Sequence, residues 1–306
     1  MASGADPRSV DRNVREMRAK IRARAKALLC LIPPVRGWFA EVDQLATDAR
    51  LWRSARSRVI SGEACDQEAI RTLMAYLTPR HVFGIAKIRI GERGDGGYVM
   101  LDDFSDVTGA FSLGIGPNCS WDMQIAERGI DVYQYDHTVD GPPVDHPRFH
   151  FIRKMIAPVA STEAESLSTA LYAAGAVGNR LILKIDIEGA EWEVFDSTPE
   201  SVLSGFAQII AEFHDFHQIL NPTWRERAQR VFAKLRSQFD VVHVHANNYG
   251  TYDIVANIPV PEVLEVSWVN RTLYRTKDAS EVFPTAIDQP NRPDRPEIFL
   301  GAMRYR

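Results

Sequence analysis

Cysteine is scarce in this 306-residue chain: Cys30, Cys65 and Cys119 are odd in number and share no metal or redox spacing. That argues against a disulfide framework and suits a reducing cytoplasm. Long apolar runs are also missing. ALLCLIPPV is too short to span a bilayer, and Pro33 and Pro34 end any helix there. An arginine-rich lead followed by a double proline does not match a signal peptide. No internal repeat or low-complexity tract is evident. Basic charge is lacking where a nucleic-acid site would need it. Residues 1–60 hold 13 Lys and Arg against 6 Asp and Glu, which is +7; with −4 for the whole chain, the remainder carries −11. So acidic a remainder is unsuited to a phosphate backbone, and no nucleic-acid partner is expected.

What is present, with 45% hydrophobic residues, suffices for one substantial core plus an accessory segment. Residues 1–80 read as an N-terminal helical arm and 81–306 as the main domain, with Pro79 marking the boundary. In the arm, RNVREMRAKIRARAKALL sets Val14, Met17, Ile21 and Leu28 near one helical stripe among arginines. Packing on its own domain is the plainer reading; peripheral contact with the inner, anionic membrane surface is the alternative.

LILKIDIEGAEWEVF (181–195) is the most informative stretch. A buried-type apolar run breaks into Asp186, Glu188 and Glu191, which reads as a central parallel strand whose carboxyl end opens on a site. Glu188 and Glu191 equally suit fixing the turn and the helix start. Upstream, VTGAFSLGIGPNCSWDMQIAERG reads as strand, glycine turn and helix, with Ser120 or Asn118 as cap and Gly129 as stop. The next strand, DVYQYDHT, ends at Asp136, about where a nucleotide-binding fold puts a carboxylate on ribose hydroxyls. The turn lacks the third glycine of a dinucleotide fingerprint, and Pro117 removes one amide, which counts against NAD.

The elements that follow alternate. RFHFIRKM is a third strand, STEAESLSTALYAAG a helix, LILKI a fourth strand and FAQIIAEF a fifth. In NPTWRERAQRVFAKLRSQF, residues Trp224, Ala228, Val231, Phe232, Leu235 and Phe239 share a core face. DVVHVHA is a sixth strand, and VLEVSWVN a seventh that pairs back antiparallel with it. AKIRIGERGDGGYVML reads as two short strands about a tight Asp95-Gly96 turn, whose loop closes over the site with Asp95 and Tyr98 as polar contacts. The proline-rich tail FPTAIDQPNRPDRPEI reads as a structural surface wrap. The whole is an α/β, doubly wound, Rossmann-like sheet of about seven strands with an antiparallel last strand.

Four segments, GDGGYVML (94–101), FSLGIGPNCSWD (111–122), LKIDIEGAEWEVF (183–195) and IIAEFH (209–214), resemble the FkbM-type S-adenosylmethionine-dependent methyltransferases, in the branch with an Asp-Gly-Gly-Tyr segment before the first strand. The likeness spans residues 85–300, with KIDIEGAEWEV as its most specific part. It implies a class I methyltransferase fold, with Gly114, Ile115, Gly116, Asp136 and His137 at the cofactor and Asp186 beside the transferred methyl. It also implies O-methylation of a carbohydrate, glycolipid or related natural product.

A sugar hydroxyl is a poor nucleophile and needs a base or a metal. Either His214 takes the proton while Asp186 or Glu212 orients it, or Asp186, Glu212 and His214 hold a divalent cation. Trp192 is a candidate for stacking on a sugar, although core packing is the commoner role. His243 and His245 are read as facing opposite sides of their strand, which leaves His245, next to Asn247 and Asn248, near the crevice mouth as a substrate contact. A metal-dependent glycosyltransferase, with Asp186-Ile187-Glu188 as its acidic pair, and a catalytically silent binding module are the alternatives.

Overall fold

The computed structural model describes residues 64–176 and 180–305. The basic stripe, its membrane expectation and the helical arm before residue 64 lie outside the described residues. Helix α1 (Ala64–Ala75) precedes a hairpin of β1 (Lys87–Ile90) and β2 (Tyr98–Leu101). Then come β3 (Gly109–Leu113), α2 (Ser120–Glu127), β4 (Val132–Tyr135), β5 (Phe149–Ile152), α3 (Leu167–Ala173) and β6 (Leu181–Ile185). The chain continues through α4 (Glu191–Ser197), α5 (Glu200–Leu203), β7 (Phe206–Phe213), α6 (Pro222–Gln238), β8 (Phe239–Ala246) and β9 (Leu264–Asn270).

Seven strands form one mixed sheet in the order β5-β4-β3-β6-β7-β9-β8. All its pairings are parallel except those of β9, which runs against both β7 and β8. The arrangement is compatible with a Rossmann-like fold. The expected last strand therefore lies between its two partners and does not simply turn back on β8. Strands β3, β6, β7, β8 and β9 are buried along their whole length, as near-continuous apolar runs require.

Local chemistry sets the boundaries. Ser166 caps α3 by accepting from Thr169 N, and Gly175, at φ +64°, follows its end. The expected helix is shorter at its start because Ala164–Glu165 pairs with Met155–Ile156. Asn221 caps α6, and Pro222 stands where no amide is needed. Phe239 begins β8 and does not complete the helical face. The hairpin loop is longer than a tight turn: Ile90 pairs with Tyr98, leaving residues 91–97 to cross. Among the described residues, no helix is long and apolar enough to cross a membrane.

The two sheet faces differ. On one, Phe111, Leu113, Leu183, Ile185, Ala211 and Phe213 join α1, α3, α4 and α6 in the main core. On the other, Ala110, Ile182 and Ile210 meet α2 and the hairpin in a smaller cluster.

Candidate functional site

The second face is where the site forms, because its alternating positions turn polar toward the carboxyl ends of the strands. Ile185 pairs with Ala211, so Asp186 and Glu212 stand one residue beyond that rung. Glu212 pairs with Glu265 on β9, and Glu265 with His245 on β8. Asp186, Glu212, Glu265 and His245 thus form one row across four neighbouring strands. Gly114 joins the row from β3: a Cβ there would overlap the Asp186 carbonyl oxygen, and Asp186 N donates to Leu113 O at 2.9 Å. Only glycine permits this approach, and its φ of +78° turns the chain away from the strand.

The hairpin supplies the cover. Tyr98 donates its hydroxyl to Asp186 Oδ2 at 2.9 Å and lies 3.4 Å from Glu212 Oε2. Asn118 Nδ2 donates to the Asp95 carbonyl, and Glu92 N to Ser120 Oγ, so the 91–97 loop is fastened to the glycine turn. The tail is the third wall and more than a surface wrap. Asn291 Nδ2 donates to Asp95 Oδ1 at 3.2 Å and to Glu265 Oε1 at 2.6 Å, while Glu297 Oε2 lies 3.1 Å from His245 Nε2. Asn248 Nδ2 donates to three tail carbonyls, of Arg292, Arg295 and Pro296.

Crowded carboxyls in a dry setting reshape the titrations. Burial, then the Asp186, Glu265 and Asp95 carboxyls, push Glu212 well above the ordinary carboxylate range, against the Asn247 Nδ2 bond at 2.9 Å. Burial, then the Asp186, Glu212 and Glu265 carboxyls, push the Tyr98 phenol well up, so it serves as a donor. Asp95 is exposed as a residue, yet its carboxyl faces the cluster. Burial of that group, with Asp186 and Glu265, raises it against the bond from Asn291.

His214 meets opposing effects. Burial disfavours its charge, but Glu191, Asp186 and Glu188 prevail and push it up to about 9. Its Nδ1 lies 3.3 Å from Glu191 Oε1, poorly aligned for a hydrogen bond, and its Nε2 lies 3.5 Å from Glu188 Oε2 and 3.7 Å from Glu212 Oε1. An imidazolium at neutral pH must lose its proton before it can act as a base, which departs from the expectation of a histidine poised near neutrality.

Asp186, Glu212, His214, Tyr98, Asp95 and His245 are brought together as expected, but His245 is closed off. It is 2% exposed, and Glu265 and Glu297 occupy both ring nitrogens, pushing it up to about 10 despite burial. Residues two apart on a strand share a face. His243 accordingly also meets the tail, through Asp288 at 2.7 Å, and does not point the other way.

Trp192 does not reach the site. It is 1% exposed, donates to His214 O and packs on Phe213, Trp224 and Phe232 in the opposite core. Asp136 is also committed within the protein. Its Oδ2 accepts from Ile115 N and Gly116 N at 3.0 Å each, and its Oδ1 from Thr138 N and Oγ1. Burial opposes the charge, but these donors hold the carboxyl below its usual range. Its expected place on a ribose is therefore taken by the glycine turn. His137 is exposed beside it.

For a cation, Asp186, Glu191 and His214 each offer a ligand atom within 4.8 Å of one another, so Glu191 stands where Glu212 was expected in that set. Glu191 also accepts from Ile187 N and Gly189 N, the turn-fixing role its position suggested. Sequence reasoning missed Lys184, Glu265, Asn247 and Asn291. The signal for the first two was a single charge inside an apolar strand; the asparagines gave none. A scan of protein-family models finds no match to this chain, and a search of curated proteins finds none.

Proposed function

We propose that this chain is an S-adenosylmethionine-dependent O-methyltransferase acting on a hydroxyl of a carbohydrate, glycolipid or related natural product. The observation that carries the reading is the contact between the Gly114 turn and the Asp186 tip, at the carboxyl ends of adjacent central strands. The strand order, with β9 alone reversed, is the one a class I methyltransferase fold would have.

The residues suit this cofactor. The Ile115 and Gly116 amides face the Asp136 carboxylate, which repels a pyrophosphate and does not disfavour a ligand without phosphate. At Gly116 a Cβ would meet nothing within 4 Å, which leaves space beside the turn. The partly exposed Asp186 carboxylate attracts a sulfonium cation, and that attraction is lost with the charge once the methyl has left. When bound, S-adenosylmethionine supplies the electrophilic methyl group.

The chain's own residues do the rest. Asp186 is a quarter exposed, with Oδ2 held by Tyr98, and takes the proton of the acceptor hydroxyl. Tyr98 fixes its orientation and also reaches Glu212, which Asn247 holds in turn, and positioning supplies much of the acceleration. Asp186, Glu191 and His214 are the residues that would hold a divalent cation, which would acidify the hydroxyl and stand in for the His214 proton.

Calorimetry with S-adenosylmethionine, NAD and sugar nucleotides, followed by a mass-spectrometric screen of glycan acceptors with and without chelator, tests the proposal. A gain of one methyl supports it, and loss of that gain with chelator assigns the metal. Binding of sugar nucleotides in place of S-adenosylmethionine replaces it with the glycosyltransferase reading. Binding of none of them leaves a silent module.

A further inference from the structure

Lys184 is a buried cation that the proposed chemistry does not use. It is 5% exposed in a strand whose other members are Leu181, Ile182, Leu183 and Ile185. Burying an ammonium costs several kcal/mol unless acceptors surround it. Three features do so. Its Nζ donates to the Gly114 carbonyl, lies 4.0 Å from Asp186 Oδ2 and stands 5.7 Å from the centre of the Tyr98 ring. Asp122 on α2, 1% exposed and bonded to Gln134, also feels the charge, which opposes the rise that burial imposes on its carboxyl.

Two roles fit a cation there: neutralising Asp122, or holding the glycine turn. The turn's backbone favours the second. Gly114 N donates to Tyr135 O at 2.8 Å, the Gly114 carbonyl accepts from Lys184, and Ile115 N and Gly116 N donate to Asp136. Two charged side chains therefore grip a three-residue turn from β6 and from the end of β4. The carbonyl that Lys184 holds belongs to the residue with φ +78°, which a flexible glycine would not otherwise keep in one conformation.

We infer that Lys184 is a positioning residue that locks the 114–116 turn beside Asp186. Its consequence, a pre-formed cofactor site, rests on the methyltransferase reading. Turn exchange and cofactor binding are therefore separate readouts.

Hydrogen exchange on the full chain compares Asp122→Asn with Asp122→Asn/Lys184→Met, so the buried acid is neutral in both. The expected result is exchange about tenfold faster at the Ile115 and Gly116 amides in the double variant, with strand and helix cores unchanged. Asp122→Asn/Lys184→Arg, which retains a donor, is expected to restore slow exchange. Equal exchange in the first two variants overturns the assignment, because Lys184 then only balances Asp122. Acceleration throughout the chain overturns it as well, since the lysine is then a general support.

In the same pair, calorimetry is expected to show S-adenosylmethionine bound about tenfold more weakly without Lys184, with turnover at saturating cofactor preserved. If the unaltered chain does not bind S-adenosylmethionine, the functional reading falls while the turn assignment is judged on exchange alone.

Discussion

On β7, Glu212 and Phe213 are sequence neighbours and both buried, at 5% and 0% exposure, yet they serve opposite faces of the sheet. Phe213 belongs to a cluster in which the Trp192 ring centre lies 4.7 Å from Phe213, 4.9 Å from Trp224 and 5.3 Å from Phe232. That face is held by area and dispersion, which add up over many contacts and single out no partner. Glu212 belongs to a face on which Lys184, Gln208, Glu265, His243 and His245 each find named partners among the hairpin, the glycine turn and the tail. Equal burial therefore has two meanings: one face provides stability, and the other holds charged groups at fixed distances where water cannot screen them.

Substitutions sharpen or break this contrast. The largest effect is expected at Asp186→Asn, which should lower the proposed methyl transfer about 10²–10⁴-fold while the urea midpoint scarcely moves, as read by product mass and by unfolding. Equal loss of both would make the polar face a stability element. Trp192→Ala should do the reverse, removing about 3–5 kcal/mol of stability in urea unfolding; a change below about 1 kcal/mol would show that the aromatic cluster is not the structural half.

The histidines give a smaller, pH-dependent effect. His214 and His245 are raised from 6.5 to about 9 and about 10 in the folded chain. Their stabilisation is therefore complete below pH 6.5 and declines as pH rises through those values. His214→Gln should make the fall between pH 6.5 and 9 shallower in urea midpoints measured across that range, and leave the part due to His245, which runs on to about 10. An unchanged profile would detach His214 from its carboxylates. The smallest effect is expected at Gly116→Ala, where space is open and only the φ of +53° costs about 1–2 kcal/mol, measurable as a modest loss of melting stability.

Much of this arrangement was legible in particular segments. LILKI read as a central strand because a continuous apolar run of that length fits a sheet covered on both faces, FAQIIAEF read as the next strand, and α6 read as a helix from its 3.6-residue stripe. Asp186, Glu212 and Tyr98 were expected near one another and are in contact. Other features resisted. Trp192 follows a site-bearing turn, but α4 rotates it to the opposite core, a direction that its distance from Asp186 in sequence does not specify. Glu265 gains its place from β9 inserting between β7 and β8, and a strand's neighbours are not written in its own residues. Asn291 lies 26 positions beyond Glu265 in an irregular tail, where no periodicity marks a residue as buried.

The sequence by itself determined the elements, the polar tips of the strands and the turn at Gly114 that no residue with a side chain fits, because periodicity and backbone freedom act over a few residues. The tertiary structure alone decided which charges meet. It placed Lys184 behind the turn, raised His214 to about 9 and gave the Asp136 carboxylate to backbone amides. Those outcomes depend on burial and on partners distant along the chain, and a group's ionisation follows its surroundings, not its neighbours in sequence.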